Sequence, residues 1–144
     1  MESQNYLGIY LSKSTAAAVC LSLHGRVKKM EGCFTISAEQ QTPVDWQGLT
    51  EQIGLGCVQR GWKFSEVRVA LDCSMFMQHN IHSNFHDTKQ IASTIRFDTE
   101  ETIATDIDNV ATAFKITSSD EDGSQLTVFT IEKKILSEVI ASAE

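Results

Sequence analysis

Apolar residues crowd positions 6–11 (YLGIYL), which predicts a short strand. Residues 12–15 (SKST) are a polar break. A second apolar run covers 16–23, where Val19, Cys20 and Leu21 suit a strand. His24-Gly25 then marks a tight turn, because glycine tolerates positive φ. A third strand is expected over 26–36, with Val27, Met30, Cys33, Phe34 and Ile36 on its apolar side in imperfect alternation. Strands joined by such short links predict an antiparallel meander.

Residues 37–44 are polar and contain the lone proline, Pro43. Asp45 can cap a helix, since its carboxylate accepts an orphan backbone N–H. The helix runs to about residue 60, with Trp46, Leu49, Ile53 and Cys57 on one face. Gly48, Gly54 and Gly56 weaken it, each by about 1 kcal/mol relative to alanine where exposed. Gly61 is a natural stop.

Residues 66–71 contain VRVAL, a strong short strand that ends at Asp72-Cys73-Ser74, and 75–81 is another strand candidate. Residues 84–87 open a second helix, capped by Asn84 or Asp87. Ile91, Ile95 and Ile103 define its buried stripe, with Phe97 to one side. Alternating strands at 110–116 and 126–131 flank a polar hairpin tip at 118–124. Residues 132–143 form a terminal helix with Ile135, Leu136, Val139 and Ile140 facing inward. No period of solenoid type is present. The string predicts a mixed α+β (α/β) fold, a main lobe with a small inserted lobe.

Charge and composition narrow the function. The 144 residues are 42% hydrophobic and 22% charged, which suffices for one core or for two small lobes. A net charge of -7 disfavours nucleic acid, since an acidic surface repels phosphates. Arg26, Lys28 and Lys29 are the densest basic cluster, and on a strand they read as a solvated face. Cys20, Cys33, Cys57 and Cys73 include no CxxC pair, so a zinc ribbon is disfavoured. Three of the four sit among apolar residues and read as reduced, structural thiols of a cytoplasmic protein. The opening MESQNYLGIY lacks the basic and apolar regions of a signal peptide. No apolar run nears the ~20 residues that cross a bilayer, so the chain reads as soluble. The end at Glu144 falls within or just after a helical pattern, which reads as a piece of a longer protein.

Other constellations have ordinary readings. His79, His82 and His86 suggest a metal cluster, but positions 79 and 82 of one strand point to opposite faces. Asp72-Cys73-Ser74 lacks a nucleophile-elbow pattern and reads as a loop cap. Met75-Phe76-Met77 reads as core. The acidic helix face of Asp98, Glu100, Glu101, Asp106 and Asp108 would either receive a basic partner segment or serve as a solubilising face. Asp98, Glu100 and Glu101 are the candidate partner-binding residues.

Three segments carry a resemblance. LGIYLSKSTAAAVCL (7–21) resembles the opening strand and first phosphate loop of the actin-like ATPase superfamily. VRVALDCSMFMQHNIHSNF (67–85) resembles the strand leading into that fold's small lobe. IASTIRFDTEETIATDIDNVATAFKI (91–116) resembles the small-lobe helix and following strand of PilM-type pilus proteins, and the same region of GspL-type secretion proteins.

The resemblance implies an actin-like, ribonuclease H-like first subdomain at 1–75, a small inserted lobe at 76–132, and a terminal helix at 133–144 returning to the main lobe. It also implies a cytoplasmic component, or one peripheral to the inner membrane, of a type IV pilus or type II secretion platform. Its partners would be proteins of that platform, a second copy of the chain among them, with membrane contact only indirect. PilM-type members bind ATP between two lobes, whereas GspL-type members have largely lost that site.

In that superfamily the first phosphate loop needs an acidic residue for Mg²⁺, then glycine and small hydroxyl residues for phosphate. The acidic position falls on Tyr10 and the glycine position on Ser12, followed by Lys13, Ser14 and Thr15. An aromatic ring cannot serve as a hard-oxygen partner for Mg²⁺. Ser12, Lys13, Ser14 and Thr15 thus read as a degenerate cofactor loop. The expectation is a non-catalytic assembly scaffold with no cofactor. The alternative is the N-terminal half of a PilM-like switch that binds ATP and Mg²⁺ in a full-length form.

Overall fold

The computed structural model describes residues 4–37 and 44–143. The chain divides into two compact units, Met1–Ser74 with Val139–Glu144, and Met75–Glu138. The polar segment through Pro43 lies outside the described residues apart from Ser37 and Val44.

The first unit is built on a sheet of order β3-β2-β1-β4, from β1 (Gln4–Leu11), β2 (Thr15–His24), β3 (Val27–Ser37) and β4 (Glu66–Leu71). The first three form the expected antiparallel meander, and β4 lies parallel to β1 with Leu11 opposite Leu71. Alternation sends Leu7, Ile9, Leu11, Ala16, Ala18 and Cys20 into the core. Helix α1 (Trp46–Gln59) covers that face with Trp46, Leu49, Ile53 and Cys57. Asp45 caps it by accepting from the Gly48 amide at 2.9 Å. Gly61 ends the segment at φ +67.

The irregular pattern of β3 has a local cause. The register shifts between Cys20 and Leu21, so that Cys20 faces Gly32 and Leu21 faces Met30. Glu31 is the extra residue of this bulge, which turns Met30 to the face of Leu21, where it stands exposed, while Val27 is exposed at the hairpin end opposite His24. Cys33 is exposed as well, whereas Cys20 and Cys57 are buried. The expectation of three apolar-packed thiols therefore holds for two.

The second unit is a sheet of order β5-β7-β6, from β5 (Met77–Ser83), β6 (Val110–Asp120) and β7 (Gly123–Glu132). Helix α2 (Thr88–Glu100) is capped by Asp87, the second of the two expected candidates. Its Ile91 and Ile95 pack with Ile81, Leu126 and Val128 in the core. Ile103 does not extend this stripe, because the helix ends at Glu100. Thr99 takes the buried position and donates its hydroxyl to the Ile95 carbonyl at 2.6 Å, which satisfies a polar group inside the core. The hairpin tip is shorter than the polar composition suggests, since the strands extend to Asp120 and from Gly123. Helix α3 (Lys133–Ala143) runs from this unit into the first, where Val139 is buried. Met75 is buried as expected, but Met77 is 65% exposed, so the Met75-Phe76-Met77 run is not all core.

Candidate functional site

The expected phosphate loop is the link between β1 and β2, and it is closed by its own side chain. The Ser12 amide donates to the Thr15 carbonyl at 2.8 Å. The Ser12 hydroxyl oxygen accepts from the Thr15 amide at 2.9 Å and from the Ser14 amide at 3.4 Å. The amides of Ser14 and Thr15 are thus already bonded inside a Ser/Thr turn. Lys13 projects into solvent. The structure brings Ser12, Ser14 and Thr15 together in one turn and leaves Lys13 outside that network.

Beside this turn the ends of β1 and β4 meet. The Asp72 amide donates to the Leu11 carbonyl at 2.8 Å, which continues the parallel ladder by one residue. Tyr10 donates its hydroxyl to the Asp72 carboxylate. The other carboxylate oxygen accepts from the Ser74 hydroxyl and from the Ser74 amide. These bonds, those from Ser74 foremost, hold the Asp72 carboxyl below the usual carboxylate range. The same carboxylate raises the Tyr10 phenol above its usual range, since ionisation would lose the bond to Asp72 and face its charge.

The loop-cap reading of Asp72 and Ser74 agrees with this geometry. The partnership of Tyr10 with Asp72 was not readable along the chain. It depends on the parallel register of strands 62 residues apart.

The acidic helix face is divided in use. Asp106 caps a short 3-10 turn by accepting from the Asp108 amide at 3.0 Å, and Asp108 pairs with Arg96. Glu100 and Glu101 are exposed and Asp98 is half-buried, and none of them forms an ion pair among the described residues. The histidines do not converge. His79 bonds the Thr130 hydroxyl, His82 bonds the Gln125 amide, and His86 bonds the Asp120 carbonyl. No group of metal-ligating side chains occurs among the described residues. No helix among them is long and apolar enough to cross a membrane.

No known family profile matches the chain, and no curated protein does. Solved structures do. The PilM-PilN type IV pilus biogenesis complex contains a chain that matches with TM-score 0.81 at 15% identity, over 96% of this chain and 43% of that one. The cytoplasmic domain of EpsL, an inner-membrane component of the type II secretion system of Vibrio cholerae, matches with TM-score 0.64 at 15% identity, over 96% and 52%. A Bacteroides thetaiotaomicron protein with an actin-like ATPase fold and unknown function matches with TM-score 0.52 at 12% identity, over 96% and 49%. The chain spans about half the length of these structures. At such identities the likeness concerns the fold, and the fold is that of the actin-like ATPases.

Proposed function

We propose that this chain is a non-catalytic actin-like module of a type IV pilus or type II secretion platform, and that it holds a partner protein without turning over nucleotide. The observation that carries the proposal is the closed Ser12 turn. Phosphate binding by a loop rests on free backbone amides. Here the amides of Ser14 and Thr15 are occupied from within. The neighbouring acidic position holds a phenol, and the Asp72 carboxylate that this phenol meets is engaged by Ser74 and Tyr10. The likeness to PilM-PilN and EpsL structures supports a place at the cytoplasmic side of such a platform. The partner is a protein segment, with Asp98, Glu100 and Glu101 available to a basic stretch.

Titration calorimetry tests the nucleotide half of the proposal. With ATP and Mg²⁺ the chain is expected to give no saturable heat in the micromolar range. Micromolar binding would refute it and would support the reading as part of an ATP-dependent switch. The partner half is tested with the cytoplasmic tail of the cognate inner-membrane protein. Saturable binding that weakens in Glu100→Lys/Glu101→Lys is expected, and no binding to the unmodified chain refutes it.

A further inference from the structure

We propose that the β2–β3 hairpin end of the first sheet docks on an anionic lipid bilayer, lowering a basic ribbon with apolar side chains into the interface. The ribbon projects from the sheet. Gln4, the first described residue of β1, lies opposite Leu23, so His24, Gly25, Arg26 and Val27 lie beyond the described part of β1. Every residue from His24 to Glu31 is exposed, Val27 at 66% and Met30 at 60%. Strand register sets these two on opposite faces of the ribbon. Met30 shares its face with Lys28, Leu21 and Leu23, and Val27 shares the other with Lys29 and Ser22.

A second segment joins the ribbon at this end. The Asn5 side-chain amide donates to the Lys63 carbonyl at 2.9 Å, and the Ser65 amide donates to the Asn5 carbonyl at 3.0 Å. Since Asn5 pairs with Ser22, Lys63 and the 39% exposed Phe64 lie at the hairpin end of the strands. Arg60 precedes them, its guanidinium 4.2 Å above the Phe34 ring. These segments therefore bring five cations, Arg26, Lys28, Lys29, Arg60 and Lys63. Of their carboxylates, Glu66 is paired with Arg68 at 2.7 Å. Glu31 is held by the Ser22 hydroxyl at 2.6 Å and by Lys29 at 3.3 Å. Glu2 lies outside the described residues, and Lys13 and Asp72 stand at the opposite end of the strands. This positive end belongs to a chain of net charge -7, whose acidic excess falls on the second unit, with eleven acidic and five basic residues.

Charge and form together select the occupant. Cations alone would suit any anion. Here they alternate with exposed apolar side chains, and a bilayer interface receives both kinds, phosphates taking the cations and acyl chains taking Val27 and Met30. The stems of lysine and arginine lie along hydrocarbon while their heads stay among the phosphates. A folded acidic partner presents one surface, which would meet one face of the ribbon and leave either Val27 or Met30 in water. A fluid interface closes on both faces. A nucleic-acid duplex offers phosphates without hydrocarbon. Each basic residue close to an anionic surface multiplies binding about fivefold, so a net of three cations multiplies it roughly a hundredfold. Such a contact is reversible, as membrane binding through one signal is. The inference goes beyond the indirect membrane contact that the resemblance implies. It rests on the first unit alone and does not depend on the partner reading above.

Vesicle co-sedimentation tests it with the full 144-residue chain. The probes are phosphatidylcholine vesicles, with and without about three-tenths phosphatidylglycerol. The chain is expected to sediment with the anionic vesicles only, and to be released as salt rises from about 0.1 M to about 0.5 M. Arg26→Ala/Lys28→Ala changes exposed side chains only and should weaken binding about 25-fold. Lys13→Ala removes a cation from the far end of the strands and should leave binding unchanged. Val27→Trp places a reporter on the ribbon. Its emission, corrected for that of the unmodified chain, should shift to the blue on anionic vesicles and be quenched by lipids brominated in their acyl chains. Four outcomes overturn the proposal. The first is no binding to anionic vesicles. The second is equal weakening by Lys13→Ala and by Arg26→Ala/Lys28→Ala, which would reduce the effect to overall charge. The third is binding without the blue shift, which would leave the apolar side chains in water. The fourth is tighter binding of duplex DNA or of polyglutamate, lost in Arg26→Ala/Lys28→Ala, which would assign this end to a nucleic acid or to an acidic protein segment.

Discussion

Two glycines of one helix should respond to the same substitution with opposite sign. A methyl group added at Gly54 meets nothing within 4 Å. Gly54→Ala therefore gains helix propensity, about 1 kcal/mol, at no steric cost. At Gly56 the same methyl would lie 2.5 Å from the tip of the Phe34 ring and 2.7 Å from a second ring carbon. That ring is not free to swing away. It packs on Trp62 with centroids 5.5 Å apart, and the Arg60 guanidinium sits 4.2 Å above its centre. Overpacking of this kind costs about 1–3 kcal/mol. Displacing the ring also weakens an aromatic pair and a cation–π contact, each worth about 0.5–1 kcal/mol. Against the same propensity gain of about 1 kcal/mol, Gly56→Ala comes out roughly 1–3 kcal/mol destabilising. Urea denaturation followed by tryptophan fluorescence reads both variants, the midpoint rising for one and falling for the other at an unchanged slope. In the Phe34→Leu background, where the obstructing ring is gone, Gly56→Ala should recover most of its loss. If Gly56→Ala stabilises the chain as Gly54→Ala does, the account of this packing is wrong.

Gly123 sits at φ +136, and a methyl there would overlap the Ser83 carbonyl oxygen. Gly123→Ala should therefore destabilise the second unit by more than about 2 kcal/mol, read as lost hydrogen-exchange protection in β5 and β7. The Asp72 network makes stability depend on pH at both extremes. A depressed carboxyl contributes above its unfolded-state value, and that contribution is lost as pH falls through the folded value. A raised phenol contributes below its unfolded-state value, and that contribution is lost as pH rises through the folded one. Ultraviolet titration, with Tyr10→Phe to assign the step, should show the Tyr10 midpoint above the usual tyrosine range and lowered by Asp72→Asn. An unmoved midpoint in Asp72→Asn would deny the pairing. Native-state alkylation should reach Cys33 and Cys73 only, since Cys20 and Cys57 are buried and desolvation raises both thiols. Rapid labelling of Cys57 without denaturant would contradict the packing of α1.

What the sequence disclosed was local. The meander follows from alternation and short turns, and Asp45 and Asp87 announce their helices because a cap acts within three residues of itself. What it concealed depends on register. The bulge at Cys20 moves Met30 out of the core through one extra residue on the opposing strand, and nothing in the β3 pattern alone marks that residue. Gly56 reads as a helix weakness until Phe34 is placed against it. Ile103 continues the apolar period of α2 past the point where the backbone leaves the helix. In the candidate site the phenol at position 10 was legible along the chain, while its bond to Asp72 was not. The closure of the turn by Ser12 is a three-dimensional property of a short polar stretch that composition leaves undetermined.

The Ser12 turn also bears on what single substitutions could achieve at this site. Ser12→Gly would release two amides but abandon the bonds that fix the link between β1 and β2. Tyr10→Asp would set a second negative group against Asp72 in place of a donor, so each ionisation would oppose the other. Neither step improves phosphate binding by itself, and each disturbs the existing arrangement. A chain that gained phosphate binding here by single substitutions would therefore pass through a loosened turn or a pair of opposed carboxylates.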